Sequence, residues 1–205
     1  MLDPSEGKKT LGVILAPDGN NKAAVKELRE KAVHWRNLIK TGHIDNRDAW
    51  LALQTTIYKT LQYPLPALTL TEKECNHVMA PMLMGGLSSS GINRNIPREI
   101  LYGPKNEGGL GLWNLYDFQG LSQIAFLVEH ISNNNMSGDL LRCSIESAHI
   151  ELGTGKNIFL LNFDKYGPLL TECWIKNIWR YAYENGIVIQ EKVTKKPTKQ
   201  RMFFS

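Results

Sequence analysis

The chain has 205 residues, 42% of them hydrophobic and 21% charged, the balance of a folded globular protein with room for one substantial core or two small ones. Its longest apolar runs, such as Ile124 to Val128, fall far short of the ~18 residues of a membrane span, and the start MLDPSEGKK lacks the apolar core of a secretory signal. The net charge of +4 comes from the C-terminus: Lys192, Lys195, Lys196, Lys199 and Arg201 give the last 14 residues +5, leaving residues 1–191 at −1.

Leu11 to Leu15 (LGVIL) reads as a short buried strand, followed by the turn Pro17-Asp18-Gly19. Asn20 or Asn21 then caps a helix that runs to about Thr41, with Gly42 as its stop. A second helix fits Asn46 to about Tyr63, ended by Pro64 and Pro66. The capping box Thr71-x-x-Glu74 opens a third, which buries Cys75, Val78, Met79, Met82 and Leu83 before Gly85-Gly86 stops it. The loop from Ser88 to Asn95 leads through Pro97 into a short helical turn and then into the glycine-rich stretch YGPKNEGGLGLWNL, Tyr102 to Leu115. Gly108, Gly109 and Gly111 match neither a dinucleotide-binding nor a P-loop spacing, so the stretch reads as a structural connector with Leu110, Leu112 and Trp113 packed inward. Further helices fit Asp117 to Ser132, Gly138 to Leu152, and Glu172 to Asn185 behind a Thr171 cap, with short strands at Ile158 to Phe163 and Ile187 to Val193. No internal repeat is present. The basic tail, residues 191–205, contains Pro197 and reads as disordered; it suits contact with nucleic acid, nuclear import or solubility alike.

One pattern carries chemistry. At ~100° per residue, Lys22, Lys26, Arg29, Arg36 and Lys40 fall within roughly 80° of one another, a stripe about 27 Å long. The apolar set Val25, Leu28, Ala32, Trp35 and Ile39 centres about 100° away, and Glu27 and Glu30 lie on the other flank of the stripe. A helix docked by its apolar face thus shows a ridge of five cations along one shoulder. Cations one or two turns apart can follow a phosphate backbone without reading sequence. The same pattern also describes a solvated Lys/Arg face.

Catalytic constellations are missing. Polymerases and nucleases hold divalent metal with paired carboxylates, whereas Asp18, Asp45, Asp48, Asp117, Asp139 and Asp164 are spread over turns and helix starts where capping accounts for them. His34, His43, His77, His130 and His149 make no zinc-binding spacing, and Cys75, Cys143 and Cys173 read as reduced thiols of an intracellular protein. No catalytic residue, metal site or cofactor is expected of this chain by itself.

The order of landmarks LGVILAPDG, a Lys-rich helix carrying Trp35, YPLPAL, IPREILYGP and GGLGLWNLYDFQG, over Leu11 to Leu127, resembles the segment just after the catalytic palm in reverse transcriptases of non-LTR retrotransposons. The resemblance implies a mainly α fold: residues 1–20 as the end of a palm-like strand and turn, 21–127 as a thumb-like helical bundle, and 128–190 as a further helical region with a few short strands. It also implies that Lys22, Lys26, Arg29, Arg36 and Lys40, with Arg94, Arg98 and Lys105 as secondary contacts, face RNA, DNA or an RNA–DNA hybrid. Fingers, palm and the aromatic-x-Asp-Asp motif are absent, so the chain resembles a C-terminal fragment whose catalytic Mg²⁺ and upstream palm and fingers would lie elsewhere in the same polyprotein. The alternatives are a helical interaction or structural domain using Trp174, Trp179, Tyr181 and Tyr183, and an inactive retroelement relic.

Overall fold

Gly12 stands inside the predicted first strand, yet its φ of +85°, after Leu11 at +50°, makes Leu11-Gly12 the two-residue turn of a hairpin. In the computed structural model, which describes residues 3–133 and 135–189, Lys8–Thr10 (β1) pairs antiparallel with Val13–Leu15 (β2), Thr10 opposite Val13. Two left-handed residues in succession match the twist of paired strands; glycine adopts that conformation freely, while Leu11 does so at a cost. The Tyr63 hydroxyl holds the turn by donating to the Leu11 carbonyl at 2.9 Å.

Beyond the hairpin the described chain is mainly helical. Lys22–Thr41 forms α1, burying Ala24, Leu28, Ala32 and Ile39. Its cap differs in detail from expectation: Asn20 accepts from the Lys22 N–H at 3.2 Å, whereas the Asn21 amide reaches the Thr69 carbonyl at 3.0 Å. The second predicted helix is one helical course in three parts, Asn46–Ala52 (α2), a π-helical turn Leu53–Ile57, and Tyr58–Gln62 (α3). Thr55, Thr56 and Thr60 donate to carbonyls four residues back, at 2.8, 2.6 and 2.9 Å, the local back-bonding that competes with regular helical pairing.

Glu72–Ser89 (α4) opens on the predicted capping box, with the Thr71 hydroxyl accepting from the Glu74 N–H at 3.3 Å. It does not stop at Gly85-Gly86. Both glycines are buried contact points instead: a Cβ on Gly85 would lie 2.7 Å from Arg36 Cγ, and one on Gly86 would lie 2.7 Å from Leu53 Cδ1. Only a residue without a side chain lets α4 approach α1 and the π-helical turn so closely, and tertiary packing overrides glycine's weak helix propensity. Pro81 lies in the interior of α4.

The segment Pro66 to Leu70, which leaves a 3₁₀ turn at Leu65–Ala67 and becomes extended at Leu68, is held by side chains. From Leu115–Ile131 (α6), Gln119 accepts from the Leu70 N–H at 3.1 Å and donates to its carbonyl at 2.9 Å, and Gln123 donates to the Leu68 carbonyl at 2.6 Å. Asn177 donates to Gln123 at 2.8 Å, and the Trp174 indole donates to the Pro66 carbonyl at 2.9 Å. Buried backbone groups that no strand pairs are thereby satisfied.

Arg98–Tyr102 (α5) precedes the glycine-rich stretch, whose own backbone closes it. The N–H groups of Leu110, Gly111 and Leu112 donate to the carbonyls of Ile100, Gly103 and Leu101 at 2.8, 2.9 and 3.2 Å, and a Cβ on Gly109 would collide with the Gly103 carbonyl at 2.1 Å. Leu112 is buried and Leu110 partly so, but Trp113 is 51% exposed. Gly111, at a φ of +68°, breaks any extended alternation here, and the chain that leaves this turn buries Leu112 while its neighbour Trp113 stays at the surface.

The chain divides into two compact units, Met1–Ile124 with Glu172–Ile178, and Ala125–Thr171 with Trp179–Ser205. The first holds a continuous core that includes Leu28, Leu53, Leu61, Val78, Met82 and Leu115. In the second, Met136–Leu152 forms α7, capped by Asn135, which accepts from the Gly138 N–H at 2.9 Å. The predicted strand at Ile158 to Phe163 is replaced by a 3₁₀ turn, Ile158–Leu160, and a short helix, Phe163–Tyr166 (α8). Asn157 and Asn162 accept from the Phe159 and Lys165 N–H groups at 2.9 and 3.0 Å, giving the backbone turns in place of an extended course. In Trp174–Glu184 (α9), Trp179 is fully buried, its indole donating to the Leu161 carbonyl at 3.2 Å with Phe163 edge-on at 5.0 Å. Thr171, the expected cap, gives its hydroxyl to Glu151 instead. Ile187 to Ile189 is not a strand, and the rest of that predicted strand, with the basic tail, lies outside the described residues.

Candidate nucleic-acid interface

The five stripe residues share one face of α1 but not one environment. Lys22, Lys26 and Lys40 are exposed and make no ion pair among the described residues. Glu27, one of the two acids of α1, is held by Lys31 Nζ at 2.6 Å and Lys9 Nζ at 2.8 Å. These two ammonium groups hold its carboxyl below the usual carboxylate range, Lys31 more than Lys9, and keep its charge away from the stripe.

Arg29 owes its position to Pro81. A helix carbonyl accepts from the N–H four residues on; for His77 that residue is Pro81, which has no N–H. The Arg29 guanidinium supplies the missing donor, its Nη1 lying 2.5 Å from the His77 carbonyl oxygen. The bond uses one of five guanidinium donors, so the charge remains available at the surface between α1 and α4. Arg36 is different. Its stem lies against Gly85 at the close approach of the two helices, it is half-buried, and its Nε is buried with no hydrogen-bond partner among the described residues. Arg36 is therefore in part a packing residue, which sets it apart from the four other cations of the ridge.

Beside the ridge runs an open groove of about 710 Å³ between α1 and α4. Lys22, Lys26 and Arg29 line it, with Glu30, His34 and Asn37 further along α1. Val25 and Val33 form its apolar part, and α4 contributes Glu74 and His77. Arg36 and Lys40 are not among the lining residues, nor are Arg94, Arg98 and Lys105. Arg94 and Arg98 are exposed, near and at the start of α5, and Lys105 is exposed with its stem along Gly111. The secondary candidates thus belong to the α5 and glycine-rich connector.

No protein family, curated protein or solved structure matches this chain. Among the described residues, no group of three or more His, Cys, Asp or Glu side chains could hold a metal ion, and no helix is long and apolar enough to cross a membrane. Cys75 is buried, and burial, with smaller contributions from Glu74 and Glu72, pushes its thiol up to about 12. Glu30, His34, Asn37 and His77 were not singled out as site residues by the sequence pattern. The proline four residues after His77 was the one local signal, since it marks a carbonyl that needs an outside donor.

Proposed function

We propose that the chain is a non-catalytic, thumb-like nucleic-acid-binding module of a non-LTR reverse transcriptase, gripping template–primer through phosphate contacts for a palm carried elsewhere. The observation that carries this reading is the row Lys22, Lys26 and Lys40, exposed and unpaired among the described residues, with Arg29 fixed beside them by the His77 carbonyl. Four cations at helical spacing act on the regular charge of a duplex backbone whatever its sequence. With four phosphates neutralised, the logarithm of the affinity for duplex falls with the logarithm of salt concentration at a slope of about −3 to −4. The test is a salt titration on full chains whose tail residues Lys192, Lys195, Lys196, Lys199 and Arg201 are replaced by Gln. Adding Lys22→Glu, Lys26→Glu and Lys40→Glu should bring the slope close to zero; unchanged binding would reject the reading.

A second reading, a helical interaction domain, rests on a different observation. Met136, Leu140 and Ile150 lie on one face of α7 and are 78%, 60% and 82% exposed, whereas Trp179 and Tyr181 of α9 are buried. An interaction through α7 would be indifferent to charge reversal on α1, which separates the two readings.

A further inference from the structure

We infer that the groove between α1 and α4 receives an unpaired nucleotide of the bound strand, its phosphate on Lys22, Lys26 and Arg29 and its base edge on Glu30 and Asn37. The inference rests on the nucleic-acid reading above and specifies the form of nucleic acid that the groove takes. A paired backbone lying on the crest of the ridge meets lysines and needs no cavity. The groove, at about 710 Å³ and open to solvent, has room for a small organic group such as a nucleobase.

Charge placement favours a base over a second phosphate. At ~100° per residue, Lys22, Lys26 and Arg29 span roughly 60° of the α1 surface, and Asn37, Glu30 and His34 occupy roughly the next 60°. The groove is thus cationic along one side and lined by a carboxylate, an amide and an imidazole along the other. A phosphate lodged on the second side would face the Glu30 carboxylate, whereas a nucleobase offers exocyclic amino groups that a carboxylate accepts. Glu74 is already engaged, one of its oxygens accepting from the Thr71 N–H at 2.8 Å and the Thr71 hydroxyl at 2.9 Å. Glu30 makes no hydrogen bond or ion pair to another described residue. His34 provides an aromatic face and Val25 and Val33 an apolar one, against which an unstacked base can lie.

The experiment measures binding of the full chain to three RNA–DNA hybrids at one salt concentration: a blunt hybrid, the same hybrid with a short single-stranded extension, and one whose extension is abasic. The base-bearing extension should bind about tenfold or more tighter than the abasic one. His34→Ala and Asn37→Ala should lose that gain while keeping the affinity for blunt hybrid, and Glu30→Gln should weaken the preference for adenine, cytosine and guanine over uracil. Equal binding of base-bearing and abasic extensions, with blunt hybrid still bound, would overturn this inference and leave the phosphate reading standing. Failure of all three hybrids to bind at low salt would overturn both.

Discussion

Pro81 and Arg29 should be thermodynamically coupled although they lie on different helices. Arg29→Ala removes the donor that satisfies the His77 carbonyl. A hydrogen bond from a charged group contributes about 1.5–3 kcal/mol, reduced here because the guanidinium is only partly buried, so the expected loss is about 1–2 kcal/mol. Pro81→Ala restores a backbone N–H four residues after His77, and the helix can then satisfy that carbonyl itself. The cost of Pro81→Ala alone combines relief of an interior proline with lost packing at a buried site, and its sign is immaterial because the double-mutant cycle cancels it. In the Pro81→Ala background, Arg29→Ala should cost no more than an ordinary surface substitution, about 0.5 kcal/mol, giving a coupling near 1 kcal/mol. Urea unfolding of the four proteins, with amide exchange along Glu72–Ser89, measures this. Additivity within about 0.3 kcal/mol would refute the role assigned to Arg29. The cycle also separates two uses of one residue: in the Pro81→Ala background, Arg29→Ala should cost little stability while still losing duplex affinity.

Two further outcomes follow from packing and burial. Gly86→Ala should destabilise by about 1 kcal/mol: overpacking against the fully buried Leu53 costs roughly 1–3 kcal/mol and outweighs the roughly 1 kcal/mol that alanine gains in a helix. Urea midpoints measure it, and a stabilised variant would show that Leu53 yields freely. The Cys75 thiol, pushed up to about 12 in the native state, stands near 8.5 when unfolded. The unfolded state therefore releases its proton first, and the stability attached to the neutral thiol, complete below pH about 8.5, is lost at about 1.4 kcal/mol per pH unit as pH rises toward 12. Denaturant midpoints from pH 8 to 10.5 should fall less steeply for Cys75→Ala; equal slopes would contradict the burial.

The helices were legible where a local rule acts alone. Thr71 and Glu74 are three residues apart, enough to cap each other, and the period of Leu28, Ala32 and Ile39 marks a buried face whatever packs against it. Reading failed where the deciding group was distant in sequence. Gly85-Gly86 looked like a stop because the local meaning of two glycines is a break, yet Arg36 and Leu53 are what make a Cβ intolerable there. The Pro66 to Leu70 segment carries no strand partner in its own pattern; its hydrogen bonds come from Gln119 and Gln123, some fifty residues on, whose polarity gave no sign of burial.

The candidate site divides the same way. Spacing alone places Lys22, Lys26, Arg29, Arg36 and Lys40 on one face, because that is a property of a single helix. It cannot separate a free cation from one pressed on a neighbouring helix, which depends on where α4 crosses. The two departures, Arg36 against Gly85 and Arg29 on the His77 carbonyl, both arise from breaks in α4's regularity, a missing Cβ and a missing N–H. The features of α4 that look like helix breakers are therefore what shape the cationic face of α1: Gly85 seats the stem of one arginine against α4, and Pro81 holds the other at the edge of the groove.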